Sequence, residues 1–261
     1  KKKNYNKLLR IVKKKMKKNL LGTKFFSKEE QKNFNINSLD YNPAHIFNSK
    51  KNQFNTRKPV VHGINILLTS LELYLKKNKA NSATIDCNFL KPVYLDKIVK
   101  FYKYKQNKNE NFIEIKSDGV LCAKIFISKI DKLTKDNTKE KNKYIFLKKK
   151  NKFYKINPTN LIKKTFKITF DKKKNTRNYP LIQKNFGELF CKSMFAVSFF
   201  VGMVCPGKYA IFTNLKFEIK KNAKKKYLLF YVKNYDYRIS LFKIFVSGFM
   251  KMNIKSFYKH I

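Results

Sequence analysis

The sequence predicts an α+β protein in which a buried helix followed by antiparallel strands occurs twice. Three observations carry that expectation. Residues 63–77 form a helical stretch that is apolar nearly all round, short alternating segments follow it up to residue 128, and a second apolar helical stretch followed by alternating segments fills the C-terminal half. A chain of 261 residues accommodates two such units.

Residues 27–34 (SKEEQKNF) read as a short helix, with Ser27 as N-cap and Glu30 three residues later completing a capping box. A polar, Pro-punctuated segment covers 35–59. The helix at 63–77 (GINILLTSLELYLKK) has no true polar face, so it belongs in a core. Strands are expected at 84–89, 97–104, 111–117 and 120–128, the last two joined by Asp118-Gly119, a dipeptide suited to a tight hairpin. The segment 129–143 (KIDKLTKDNTKEKNK) is charged and reads as a solvated linker. Beyond it come a strand at 164–170, an apolar helix at 186–203, a Pro206-Gly207 turn, and strands at 209–219, 227–235 and 238–248.

A long helix wrapped by an antiparallel sheet, twice in one chain, is the pattern of a double hot dog. The expected division is an N-terminal domain at 1–130, a linker at 131–144 and a C-terminal domain at 145–261. Two copies packed sheet to sheet would also remove an exposed edge.

Composition narrows the function classes. With 43% hydrophobic and 15% aromatic residues the chain can build a core, which excludes wholesale disorder. The 61 Lys+Arg against 16 Asp+Glu give a net charge of +45 and nominate a nucleic-acid partner. Lys dominates over Arg, however, and is accompanied everywhere by Asn, Ile, Phe and Tyr, the signature of an A+T-rich coding sequence. A nucleic-acid partner is therefore not the expectation.

Cys87, Cys122, Cys191 and Cys205 are widely spaced in apolar runs, as buried thiols of a reducing, cytoplasmic compartment would be. The most apolar stretch, 194–205, is too short to span a bilayer. The first residues, Lys1-Lys2-Lys3-Asn4, carry neither a leader-like apolar run nor an initiator Met, and a soluble protein is expected.

Two of the three histidines lie in the polar segment before the first apolar helix. Asn42-Pro43 should start a helical turn, holding Asp40 and His45 at a fixed separation across it. A carboxylate and an imidazole so held can bind one water and share its proton. Further on, His62-Gly63 opens the apolar helix, where free backbone N–H groups and a missing side chain suit an oxyanion.

The run Ser38-Leu39-Asp40-Tyr41-Asn42-Pro43-Ala44-His45, continued through Phe54 and Pro59 to His62-Gly63, resembles the MaoC-like (R)-specific enoyl-CoA hydratase family. Its pattern is Asp-x-Asn-Pro-x-His, then an aromatic, a Pro and a His-Gly. Phe89-Leu90-Lys91-Pro92-Val93-Tyr94-Leu95-Asp96 is similar to the family's later strand motif, with its Gly-Asp step altered. The resemblance spans 22–128. It implies hydration of a trans-2-enoyl thioester to an (R)-3-hydroxyacyl thioester, or the reverse. Asp40 and His45 would activate the water, Asn42 would orient the site, and Gly63 with His62 would serve the thioester oxygen.

No metal or redox cofactor is implied. The acyl group would arrive on coenzyme A or an acyl carrier protein, and a homodimer is allowed. Two positions depart from the family: Leu39 stands where a small or acidic residue is usual, and the helix serine has no clear match, Thr69 and Ser70 being nearest. The second half lacks the motif, and 201–207 resembles the matching helix-to-strand corner, so one site per chain is expected. Rival readings are a hot-dog thioesterase and a non-catalytic basic RNA-binding or scaffold protein on the same fold.

Overall fold

A computed structural model describes residues 18–46, 58–78, 83–105, 110–128, 144–147, 157–170, 176–208, 210–219 and 225–258. The first half contains β1 (Lys18–Phe25), α1 (Lys28–Ser38), a 3-10 turn (Pro43–His45), α2 (Gly63–Leu75), β2 (Ala83–Phe89), β3 (Ile98–Lys105), β4 (Glu110–Ser117) and β5 (Val120–Ser128). The second contains β6 (Ile145–Phe146), a 3-10 turn (Pro158–Leu161), β7 (Thr165–Thr169), α3 (Pro180–Phe186), α4 (Glu188–Met203), β8 (Ala210–Ile219), β9 (Tyr227–Asp236), β10 (Leu241–Gly248) and β11 (Met252–Tyr258). All but Tyr144 of the expected linker lies outside the described residues.

All strands belong to one 11-stranded sheet. The order β1-β3-β4-β5-β2 in the first half is mirrored by β8-β11-β10-β9-β7 in the second, with β6 added beyond β7. The halves thus join edge to edge through β2 and β8, from Ala83 opposite Ile219 to Asn88 opposite Asn214, rather than sheet to sheet. Each half closes the other's open edge.

Local chemistry explains the elements. Ser27 accepts the Glu30 N–H at 3.2 Å, the N-cap half of the expected capping box, while the Glu30 carboxylate pairs with Lys24 instead of the Ser27 N–H. Asp118 and Gly119 sit at φ 48° and 76°, the paired left-handed conformations of a tight hairpin. Along β2, Ile85 and Cys87 are buried while Asp86 and Asn88 are part-exposed on the other face.

The core is rich in phenylalanine: Phe190, Phe195, Phe200, Phe217, Phe230 and Phe242 are all fully buried. Burying each such ring stabilises the fold by about 1.5–3 kcal/mol. Ile64, Leu67, Leu68 and Leu71 of α2 share the same continuous core as α4. The four cysteines are buried free thiols. Among the described residues, no single helix is long and apolar enough to cross a membrane.

Three features differ from the sequence expectation. The apolar stretch at 186–203 starts its helix only after Gly187, which separates α4 from the preceding α3 at a 111° bend. Strand β1 was not anticipated, because it is a largely exposed edge strand and its sequence KNLLGTKF has no clean alternation. Strand β11 was missed because an inward position holds a hydroxyl: Ser256 is buried alongside Met252 and Ile254 and donates to the Ile211 carbonyl at 2.9 Å.

Candidate active site

The end of α1 sets the first acidic group. Leu39 caps the helix in the left-handed conformation, φ 60° and ψ 24°, and its N–H bonds the Asn35 carbonyl. A left-handed cap favours Gly, which gives a physical reason for the small residue usual at this position in the resembling family. Ser38 then donates to the Phe34 carbonyl at 2.7 Å and accepts the Asp40 N–H at 3.2 Å, so the chain turns inward at Asp40.

Asp40 is 1% exposed. Its Oδ1 accepts the Asn42 N–H at 3.1 Å, and its Oδ2 accepts the hydroxyl of Ser198 at 2.7 Å. Ser198 lies on α4, in the other half of the chain. One turn further along α4, Gly202 makes room for the carboxylate: a Cβ there would stand 2.1 Å from Asp40 Oδ1. The C-terminal half therefore supplies both a donor and the space for the acid of the N-terminal half.

Asn42 caps the 3-10 turn, accepting the Ala44 N–H at 3.2 Å, and its Nδ2 donates to the Ala210 carbonyl at 3.2 Å. It orients the loop through backbone groups and ties it to the start of β8. His45 closes the turn. Its Nδ1 lies 2.7 Å from the Val60 carbonyl, which makes Nδ1 the donor and leaves Nε2 as acceptor in the neutral ring. Buried Gln31 of α1 fixes both strands of this loop, donating to the carbonyls of His45 at 3.1 Å and Val60 at 2.9 Å.

The later strand motif supports the approach to α2. Val61 N–H donates to Val93 O at 2.8 Å and Leu95 N–H to Pro59 O at 3.1 Å. Those bonds deliver His62 to the N-cap of α2. His62 is 1% exposed, and its Nε2 stands 3.3 Å from the Asp40 backbone oxygen and 3.7 Å from Oδ2. Its ring stacks on His45 at 3.7 Å between centroids. That orientation turns it toward Asp40 and His45.

Gly63 begins α2, whose first-turn N–H groups have no partner within the helix. The Phe89 ring comes within 3.1 Å of where a Gly63 side chain would start, so the missing Cβ is used in part to seat that ring. Ser70 is turned into its own helix, donating to the Ile66 carbonyl at 2.6 Å, and Thr69 donates to the Asn65 side chain at 3.5 Å. The hydroxyl that reaches the acid is Ser198.

Electrostatics narrow the gap between the two titrating groups. Burial raises the Asp40 carboxyl above its usual 3.8, against the opposing pull of His45 and of the Ser198 and Asn42 hydrogen bonds. Burial lowers the His45 imidazole below its usual 6.5, opposed by Asp40 and by the Val60 bond. An acid moved up and a base moved down exchange a proton at lower cost than the free groups would.

One ligating atom from each of Asp40, His45 and His62 falls within 4.8 Å of the others. The two imidazoles stack with a tilt of 27° between their planes. A separate cavity of about 500 Å³ lies between α1, α2 and the start of α3, lined in part by Asn33, Asn65, Thr69, Glu72 and Tyr179. It does not include Asp40 or His45.

An acid–imidazole pair beside the start of a hot-dog central helix defines the class: a double hot-dog fold with one candidate acid–base site among the described residues. More particularly, residues 11–121 match the family model described as "MaoC like domain". A solved MaoC-like dehydratase aligns over 93% of this chain and 98% of its own, with 8% identity and a TM-score of 0.56. A protein from Thermobifida fusca YX assigned as a thioesterase II aligns over 92% and 100%, with 8% identity and a TM-score of 0.52. The (R)-hydratase of A. caviae involved in PHA biosynthesis is 23% identical over 44% of this chain and 95% of its own, with a TM-score of 0.35. No curated protein matches the chain in sequence.

The sequence had pointed to Asp40, Asn42, His45, His62 and Gly63, and the structure gathers them around the loop between α1 and α2. Sequence reasoning missed Ser198, Gly202 and Gln31. Ser198 and Gly202 are spaced by four on a helix, a signal that would have placed them on one face but not opposite Asp40.

Proposed function

We propose that the protein is a hydratase/dehydratase that interconverts a trans-2-enoyl thioester and an (R)-3-hydroxyacyl thioester. The observation that supports this most is the pairing of buried Asp40 with half-buried His45, each member held by separate hydrogen bonds next to the N-terminus of α2. In this reading one water sits between the Asp40 carboxyl and His45 Nε2. Its oxygen adds to the β-carbon of the enoyl group, and its proton passes to the pair. The negative charge that develops on the thioester oxygen is met by backbone N–H groups at Gly63. The pair returns a proton to the α-carbon, so it ends as it began, and the reaction needs no redox partner. Coenzyme A or an acyl carrier protein would bear the acyl group, and the basic surface would favour either phosphate-bearing carrier.

The test is the loss of the conjugated double bond when the protein is mixed with short and medium 2-enoyl-CoA. Asp40→Asn and His45→Ala should each lower the rate by about 10²–10⁴-fold. Release of free thiol without hydration would favour the thioesterase instead. Wild-type inactivity, or full activity in both variants, would overturn the assignment.

A further inference from the structure

His62 has no task in the chemistry above, yet it is as deeply buried as Asp40, each being 1% exposed. Its ring packs against two others: Phe34 of α1, 4.6 Å away and tilted by 40°, and His45, stacked 3.7 Å away. Nε2 stands 3.3 Å from the Asp40 carbonyl, while Nδ1 is buried with no hydrogen-bond partner. A residue kept only to fill space beside two rings would be apolar, since an apolar ring leaves no nitrogen unsatisfied. The imidazole is present for what its Nε2–H and its face do together.

We propose that His62 is a positioning residue for the Asp40–His45 pair: its Nε2–H anchors the Asp40 backbone, and its ring is the floor that fixes the plane of His45. The two functions act on both halves of the pair from one side chain. The groups facing it are Asp40, 3.7 Å from Nε2 at the nearer carboxylate oxygen, and His45, with the uncharged Phe34 ring packed alongside. Burial, reinforced by His45, holds the His62 imidazole well below the usual 6.5, which favours an uncharged floor. A charged ring there would repel the imidazolium formed at His45 during turnover.

This inference rests on the proposed hydration for its kinetic readout and on His45 itself for an independent one. In His62→Gln the amide keeps a donor but removes the ring and admits water beside His45. We expect kcat to fall about tenfold with KM within twofold. His45, followed by its ring proton resonance in NMR, should titrate closer to 6.5, because burial is the main cause of its depression. His62→Phe keeps the ring and loses the donor, so it should preserve the His45 titration while kcat still falls.

Identical His45 titrations in both variants, or a change confined to KM, would overturn the proposal, the latter returning His62 to the substrate. If the titrations shift as expected while wild type shows no hydratase activity, the positioning role stands and the hydration reading fails.

Discussion

The two halves share a sheet plan and diverge at the connection into the central helix. In the first half, residues 39–62 separate α1 from α2 and hold Asp40, Asn42, His45 and His62. In the second, Gly187 alone separates α3 from α4. The scaffold constrains strand order and core, whereas the loop can be long or absent without disturbing either. The short connection leaves no room for an acid–imidazole pair beside α4. That half contributes differently, by turning the Ser198–Gly202 face of α4 toward the acid of its neighbour. One site is thus built from two repeats, a loop from one and a helix face from the other.

The sharpest way to break this division of labour is to fill the space that the second half leaves open. In Gly202→Val the first added carbon would stand 2.1 Å from Asp40 Oδ1, where no atom can sit, so the carboxylate must move. Overpacking of this kind costs about 1–3 kcal/mol in stability. Displacing the acid by about 1 Å should lower the hydration rate by at least 10²-fold. A folded Gly202→Val variant with the wild-type rate would show that the acid does not depend on α4.

A smaller effect is expected from Ser198→Ala, which removes the 2.7 Å donor to Oδ2 without adding bulk. That hydrogen bond opposes the rise that burial imposes on Asp40, so its loss should push the carboxyl further above 3.8. If turnover needs Asp40 ionised, the acid limb of the rate profile then moves to higher pH. The stability loss, about 1.5–3 kcal/mol for a hydrogen bond to a charged group, should appear above the folded pKa of Asp40. It should fade as pH falls through that value, because the protonated carboxyl no longer leaves a buried charge unpaired. Melting curves at several pH values would separate this from a pH-independent packing loss.

The comparison also marks how far sequence carries. The central helices, the hairpin at Asp118-Gly119 and the loop residues were legible because each rests on short-range chemistry: an all-apolar helix, paired left-handed turn residues, an Asn-Pro cap. The Ser198–Asp40 bond was not, because it spans 158 positions and depends on how two repeats meet. His62 was read as a substrate ligand from its place before Gly63, and its packing against Phe34 and His45 follows from the path of the loop, which no local pattern encodes. The +45 charge is the most conspicuous feature of the sequence, yet among the described residues no lysine or arginine figures in the electrostatics of Asp40, His45 or His62.

The smallest expected effects lie at the two residues that end the first helix of each half, and they should be unequal. Gly187 has φ 86° and ψ 158°, a region essentially reserved for glycine, and an added Cβ would meet nothing within 4 Å. Gly187→Ala should therefore cost about 1–3 kcal/mol through the backbone alone, and the cost should appear in the urea midpoint. Leu39, at φ 60° and ψ 24°, already bears the left-handed penalty but packs its side chain partly against the core. Replacing it by Gly relieves about 1–2 kcal/mol of that penalty and forfeits a similar amount of apolar burial, so the midpoint should barely move. A large loss at Leu39 would mean that its packing, rather than the cap, holds the loop in place. A negligible loss at Gly187 would mean that the bend between α3 and α4 is set by Glu72 of α2. That carboxylate accepts the Leu181 and Ile182 N–H groups at 2.8 and 3.0 Å, and it could hold α3 in place whatever stands at 187.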